Sequence, residues 1–381
     1  MRAMRQHKER LLGGRTPARF LREHWQKRPL LVRSAIEGFT GLLDPTGLMG
    51  LAQREDVESR LVVRRGRRWE VEHGPLSARA LRRLPNANWT VLVQEVNHVV
   101  PQAAALLANF DFIPRARLDD LMVSYAPPGG GVGPHFDSYD VFLLQGMGRR
   151  LWRISASCDR TLIEGAPLKL LANFAPEQEW ILEPGDMLYL PPGCAHDGVA
   201  LDACMTYSIG FRAPAWGELA THFLAHLQDE VNLNGMYADP RLQPTRRSGC
   251  IPQNLIRQCN NVLAKIRWTQ GDVAHFLGRY LTEPKPHVFF TAPRRRLPMS
   301  RFAREARRKQ ISLALRTRML YFGNAVYING ECEPMPRSAA ARLRVLADTG
   351  HLRLSDEDAD ELIERLYAWY RAGFLVIGEC A

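Results

Sequence analysis

Three textures follow one another along the chain, each with its own spacing of apolar residues. Near the N-terminus Phe20, Leu21 and Trp25 recur at helical spacing before RPLLVRS, which reads as a short strand. Residues 48–118 alternate small helices with strands such as WTVLVQ (89–94). From 118 to 212, short strands follow one another across glycine and proline turns: DDLMVSYA, YDVFLLQG, RLWRISA, DMLYLPPG and CMTYSIGF. Such a run predicts a barrel or sandwich and fits a double-stranded β-helix, or jelly roll. After Pro214 the spacing returns to three and four in AWGELATHFLAHLQDE, NLIRQCNNVLAKIRW and DVAHFLGRYLTE, which predict helices. EPKPHVFFTAPRRRLP then reads as a linker. The last stretch is a small α+β module, with a hairpin turn at Asn329-Gly330, helix N-caps at Ser338 and Ser355, and a C-cap at Gly373 before a strand at 374–377. Two helices followed by a strand suggest a winged-helix-like unit. The fold class is therefore α+β. Its expected divisions are a basic N-terminal extension (1–15), a barrel domain (16–214), a helical region (215–290) and the winged-helix-like domain (291–381).

Within the barrel, strand parity separates two kinds of face. In 118–126, Asp120, Met122 and Ser124 share one side, with Leu121, Val123 and Tyr125 on the other. In HFDSY, His135, Asp137 and Tyr139 point together. In CMTYSIGF, Cys204, Thr206, Ser208 and Gly210 oppose Met205, Tyr207, Ile209 and Phe211. Chemistry is expected inside such a barrel and packing outside.

The sharpest local feature is PGGGVGPHFDSYDVFLLQGMGRRLWRIS. His135 and Asp137, at i and i+2 of a strand, converge on one point, and PPGCAHDG supplies His196 about 60 residues further on. Two histidines and a carboxylate on one face leave the other face of an octahedral metal open. Non-haem iron(II) oxygenases need that opening, where 2-oxoglutarate takes two positions and O2 the third. A bare HxD is more often a hydrogen-bonded pair, so its company matters. Arg150 follows across the Gly146-Met147-Gly148 turn, where a hairpin would bring its strand back beside the one that follows HxD. Its guanidinium can pair bidentately with the distal carboxylate of 2-oxoglutarate.

Composition changes the picture only a little. The seven cysteines (158, 194, 204, 250, 259, 332 and 380) never form CxxC, which argues against a disulfide framework or zinc ribbon and fits a cytoplasmic protein. No apolar run approaches the roughly 20 residues of a membrane helix. MRAMRQHKERLLGGR lacks the apolar segment of a secretory signal and reads as a flexible arm, or as a start placed upstream of Met4. A net charge of +11 favours an acidic partner such as RNA or a ribosome surface. Glycines 129–131 and 133 precede no lysine or helix and read as a flexible, close-packed approach to the metal site rather than a phosphate loop. His222 and His226 stand at i, i+4, but no glutamate follows His222, so the zinc-protease pattern fails.

Taken together, HWQKRP (24–29), ESRLVVRR (58–65), WTVLVQEVNH (89–98), the stretch 119–153, EPGDMLYLPPGCAHDG (183–198) and YSIGFRAP (207–214) resemble the JmjC-type bacterial ribosomal oxygenases, which hydroxylate an arginine of a large-subunit ribosomal protein. The resemblance implies a cupin-like JmjC barrel, a helical dimerisation region, a homodimer and a C-terminal winged-helix-like domain. It implies Fe(II) on His135, Asp137 and His196, with 2-oxoglutarate and O2 as co-substrates. Arg150 would anchor 2-oxoglutarate, assisted by Ser124 and Thr206; family members often carry asparagine at the position of Thr206. Asp120, Tyr139 and Ser208 would hold the substrate guanidinium, by charge, stacking and hydrogen bonding.

Two other readings use the same residues. A JmjC-type demethylase would share the core and release formaldehyde. A non-catalytic ribosome- or RNA-binding assembly factor would use the barrel and the basic helix of Arg304, Arg307, Arg308 and Lys309 for docking alone. Retention of three ligands plus Arg150 argues for catalysis.

Overall fold

The computed structural model describes residues 8–156 and 159–378; Met4, Cys158, Cys380 and the first seven residues of the basic extension lie outside them. Its first strands are β1 (Leu30–Val32), β2 (Ser59–Arg65), β3 (Arg68–His73), β4 (Trp89–Val93), β5 (Leu118–Ala126) and β6 (His135–Phe136). The barrel continues with β7 (Asp140–Met147), β8 (Arg150–Ser155), β9 (Gln178–Leu182), β10 (Met187–Leu190), β11 (Ala195–Ala200) and β12 (Cys204–Phe211). They form an eight-stranded sheet, ordered β1-β10-β7-β12-β5-β4-β2-β3, and a four-stranded one, β6-β11-β8-β9. The pairings within both sheets are antiparallel, and the jelly roll expected from the sequence is what the chain adopts.

The parity of the strands decides where the cores lie. Leu121, Val123, Phe142, Leu144, Tyr207 and Ile209 face outward from the large sheet and pack under the N-terminal helices with Phe20, Leu48 and Phe110. Phe20 is fully buried, with its ring 5.0 Å from Tyr189 and 5.6 Å from Phe142. Truncating such a ring to alanine costs about 3–5 kcal/mol. The alternate residues Val141 and Leu143 turn inward and meet Trp152, Ile154, Leu182, Leu188 and Leu190. The part of the N-terminal extension from Lys8 onward is not a loose arm: Leu11 and Leu12 are fully buried in the outer core.

The glycine-rich approach to β6 is closely packed, as expected, but it is fixed rather than flexible. Gly129 N–H donates to the Ala200 carbonyl and Ala200 N–H to that of Gly130. A Cβ at Gly130 would lie 2.1 Å from the Trp89 carbonyl oxygen, and one at Gly131 2.4 Å from that of Gly198. Absence of a side chain serves close approach here.

Beyond the barrel, helices span Trp216–Glu230, Gln253–Leu263 and Gln270–Thr282. The first buries only Leu227 and the second no residue, so their apolar stripes, with Leu224, Ile256 and Leu263, face solvent. The C-terminal module contains β13 (Ile311–Leu313), β14 (Met319–Phe322), β15 (Ala325–Ile328), β16 (Glu331–Pro334), β17 (His351–Leu352) and β18 (Leu375–Ile377), with helices at Met299–Arg308, Ala340–Thr349 and Asp360–Ala372. It has its own core around Phe302, Leu343, Leu346, Leu362 and Leu366. Asn329 and Gly330 both adopt positive φ at the β15–β16 hairpin, and Gly373 closes the last helix at φ 84, as the sequence suggests. The two serine caps do not form. Ser338 Oγ donates to Glu361 across the module, and the second helix begins at Asp360 instead of beside Ser355.

Candidate metal centre

The pairing of β6 with β11 sets His196 directly opposite His135. Their rings lie 4.3 Å apart by centroid, and Asp137 Oδ2 is 3.6 Å from His196 Nε2. One ligand atom from each of the three falls within 4.8 Å of the others, the one such metal-holding group among the described residues. Backbone carbonyls set the tautomers. His135 Nδ1 is 2.8 Å from the Gly133 oxygen and His196 Nδ1 3.0 Å from that of Cys194. A carbonyl only accepts, so each Nδ1 carries the proton and each Nε2 keeps its lone pair for a metal. Burial, aided by the neighbouring His135, lowers the His196 pKa to about 4, which keeps the ring in the neutral form that a metal requires. The Gly193 N–H donates to the Asp137 carbonyl at 2.7 Å, which ties the ligand strand to the β10–β11 turn.

These residues line a cavity of about 330 Å³ between the two sheets, together with Ser124, Tyr139, Arg150 and Ser208. Arg150 is buried, its Nη1 donating to Ser124 Oγ over a long 3.4 Å. Its Nε and Nη2 have no hydrogen-bond partner among the described residues. A buried guanidinium with two unpaired donors is costly, and a carboxylate entering the cavity would satisfy both at once. The site thus fits a metal with two imidazoles and one carboxylate, and a carboxylate-bearing ligand beside it.

Arg150 reaches the cavity by a different route from the expected hairpin. β7 and β8 do not pair: β7 lies between β10 and β12 in the large sheet, and β8 between β11 and β9 in the small one. Gly148, at φ 61, turns the chain from one sheet to the other; a Cβ there would lie 2.2 Å from the Ala203 carbonyl oxygen. The strand crosses the barrel's corner, and Arg150 still points inward.

The remaining candidate residues divide. Ser208 and Tyr139 line the cavity, and burial, then Asp137, raises the Tyr139 hydroxyl far above its ordinary pKa, so it is a neutral donor. Thr206 is not among the lining residues; its hydroxyl donates at 3.0 Å to Gln145 Oε1, and Gln145 in turn holds the Met147 and Gly148 carbonyls of the crossover. Asp120 is not among the lining residues either; it is buried, with Oδ2 accepting from the Glu95 N–H at 2.9 Å. Burial, then Asp119, raises its pKa to about 6. An ideal Cβ on Gly210 would lie 3.6 Å from Asp120 Oδ1 and 3.8 Å from the Tyr139 ring, so the two flank one small glycine.

Thr90 and Trp152 escaped the sequence reading. Both line the cavity, and both bury a polar atom, Oγ1 and Nε1, without a partner. Parity could have found Thr90: Val91 and Val93 of the same strand sit in the outer core, which sends Thr90 and Leu92 inward. His222 and His226 serve packing; their rings lie 5.0 Å from Tyr280 and 5.6 Å from His275.

A jelly roll that converges two histidines and a carboxylate beside a buried arginine has the architecture of the JmjC class. Residues 105–219 match the family model described as a JmjC domain, and residues 265–376 one described as a ROXA-like winged helix. The chain is 36% identical to the ribosomal protein uL16 3-hydroxylase of Escherichia coli over 327 residues, covering 84% of this chain and 86% of that protein. It is 38% identical over 257 residues to a probable ribosomal oxygenase of Haemophilus influenzae, with 65% and 63% covered. The solved structure of YcfD, a ribosomal oxygenase from Escherichia coli in complex with cobalt and 2-oxoglutarate, superposes with a TM-score of 0.79 at 32% identity, over 94% of this chain and 96% of that one. The chain belongs to the ribosomal oxygenase family.

Proposed function

We propose that the protein is an Fe(II)- and 2-oxoglutarate-dependent hydroxylase acting on an arginine side chain of a large-subunit ribosomal protein, the counterpart of uL16. The observation that carries this reading is Arg150, buried with two unpaired N–H groups on the same cavity as the His135–Asp137–His196 triad. A relative over most of the chain is named a ribosomal protein uL16 3-hydroxylase, and a solved relative holds cobalt, a metal that can stand in for iron, together with 2-oxoglutarate.

Iron(II) held at the triad would supply, with 2-oxoglutarate and O2, the oxidation whose products are a hydroxylated substrate carbon, succinate and CO2. The protein's share is positional. His135, Asp137 and His196 would hold the metal, with both rings oriented by carbonyls. Arg150 takes the distal carboxylate, Ser124 steadies the guanidinium, and Thr206 acts one step removed through Gln145. Asp120 attracts the substrate guanidinium, Tyr139 offers a flat ring and Ser208 a hydroxyl. Burial of Arg150 and His196 removes them from bulk water, which strengthens their charge interactions.

The test is incubation with iron(II), 2-oxoglutarate and ribosomal proteins from the same host. The expected product is a gain of one oxygen atom on an arginine, with succinate formed in step. Loss of a methylene would point to demethylation, and no consumption of 2-oxoglutarate to a docking factor.

The partner surfaces follow from exposure and charge. We infer a homodimer through the helical region, because Trp216, Leu224, Ile256 and Leu263 stand exposed on helices with almost no core of their own. We infer an RNA contact at residues 294–309. Eight arginines and lysines there against Glu305 alone give a net +7 of the chain's +11. No helix of the described residues is long and apolar enough to cross a membrane.

A further inference from the structure

Glu95 occupies an unusual place for a carboxylate that touches neither the triad nor the cavity. It is buried just after β4, with φ 51 and ψ 35, a left-handed conformation that a non-glycine residue keeps only where its surroundings enforce it. Its backbone N–H is the donor to Asp120 Oδ2. Its carboxylate meets groups from the far end of the chain. His287 Nε2 donates to Oε2 at 2.8 Å, Lys285 Nζ lies 3.1 Å from Oε1, and Arg318 Nη2 3.9 Å from the same oxygen. His98 adds a ring nitrogen 3.6 Å from Oε2. Burial alone would raise the Glu95 pKa; the surrounding groups, His98 and Lys285 first, bring it below the ordinary value, so the carboxylate is ionised.

Lys285, His287 and Arg318 all fall within residues 265–376, the winged-helix match. Arg318 also donates to the Asp119 carbonyl at 2.6 Å, one residue from Asp120. The segment leading into the C-terminal module, through Lys285 and His287, and the module itself, through Arg318, therefore grip both flanks of the Asp120 carboxylate: the Glu95 turn that donates to it, and the strand that carries it.

We infer that Glu95 is a positioning residue through which the C-terminal module fixes Asp120 for a cationic substrate. The inference rests on the role given to Asp120 in the proposed hydroxylation. The anchored side chain locks the left-handed turn, the turn aims its N–H at Oδ2, and Oδ2 so held leaves Oδ1 directed toward Gly210 and Tyr139. Without the anchor the turn relaxes and Asp120 gains rotamers, while the histidine-carboxylate triad, on other strands, keeps its geometry.

The experiment uses the full-length protein with Glu95→Gln, which removes the charge at constant size, and Lys285→Met, which removes a single partner and leaves the turn residue intact. For each variant, KM and kcat are measured with the ribosomal protein substrate, 2-oxoglutarate decarboxylation is measured without it, and a crystal structure is solved. Glu95→Gln should raise the substrate KM about tenfold, and Lys285→Met about threefold, with kcat and substrate-free decarboxylation within twofold of the unmodified protein. The crystal structure should show Asp120 turned away from the residue 95 N–H. Unchanged KM in both variants with Asp120 in place overturns the inference. So does a parallel fall of kcat, substrate-free decarboxylation and Tm, which would mark a merely structural role. If the unmodified protein decarboxylates 2-oxoglutarate but hydroxylates no ribosomal protein, the substrate reading falls first and the inference with it.

Discussion

His135 and His196 face each other across a ladder of the barrel's own smaller sheet, and each gives its Nδ1 proton to a carbonyl two residues away. Asp120, on the neighbouring sheet, is held by a backbone N–H whose own side chain is bound by His287, 192 residues further along. The metal corner is thus local and self-contained, and the proposed substrate corner around Asp120 is assembled from distant parts. A local corner tolerates change elsewhere and fails completely when a ligand is lost. A distant one can be loosened by degrees.

The largest effect falls on the metal corner. Asp137→Ala and His135→Ala should each abolish succinate formation and weaken metal binding by more than the roughly 100-fold that loss of an outer hydrogen bond to a ligand costs. Metal titration of each variant, with succinate release alongside, checks this; undiminished succinate from either would remove the triad from the chemistry. Next comes Arg150→Lys, which keeps the charge but not the fork. With about 1.5–3 kcal/mol at stake in a charged hydrogen bond, the KM for 2-oxoglutarate should rise roughly 10- to 100-fold with the metal affinity unchanged. An unaltered KM would mean that the carboxylate sits elsewhere.

The substrate corner should differ in its response to pH. The Asp120 carboxyl, raised to about 6 by burial and Asp119, is ionised above that value and neutral below it. A guanidinium binds the ionised form, so the substrate KM should climb as pH falls through about 6, by up to about tenfold per pH unit once the group is mostly protonated. The KM for 2-oxoglutarate, which relies on a permanently charged arginine, should stay flat over the same range. Parallel profiles for the two KM values would break the distinction between the corners.

The same contrast governs what the sequence could disclose. The convergence of His135 and His196 was legible because both lie on short strands that pair without a bulge; Asp137 joins them from just past the end of β6, held there by the Gly193 N–H on its carbonyl. The inward faces of β5 and β12 were legible because alternation converts spacing into direction: Leu121, Val123, Tyr207 and Ile209 are in the outer core and Ser124 and Ser208 in the cavity. The β7–β8 hairpin was misread because a glycine turn says that the chain reverses, but not whether it returns in the same sheet. Parity gives the face of Thr206 but not its neighbour, and its hydroxyl is engaged by Gln145. Ser338 and Ser355 look like helix caps locally, yet Glu361 takes the first hydroxyl, and Asp358 accepts the N–H of the second. Glu95, Lys285 and His287 carry no local signal, because their meaning lies in contacts between segments that the sequence separates widely.

The smallest effect is expected at Ser124, where the two corners come closest in kind. Its hydroxyl accepts from Arg150 Nη1 at 3.4 Å, near the limit at which a hydrogen bond still contributes. Arg150 Nε and Nη2 have no partner among the described residues even with Ser124 present, so the ligand carboxylate must supply most of the guanidinium's partners. Ser124→Ala therefore removes one weak contact from an arginine that a bound carboxylate would already satisfy. About 0.5–1 kcal/mol is at stake, a two- to fivefold rise in the KM for 2-oxoglutarate. Because Ser124 is paired in register with Thr206 on the adjoining strand, removing a hydroxyl leaves the sheet unchanged, and the substrate KM should not move. Parallel titrations with 2-oxoglutarate and with substrate read the two constants. An equal rise in both would mean that Ser124 bridges the corners, and that the cavity responds as one unit instead of two.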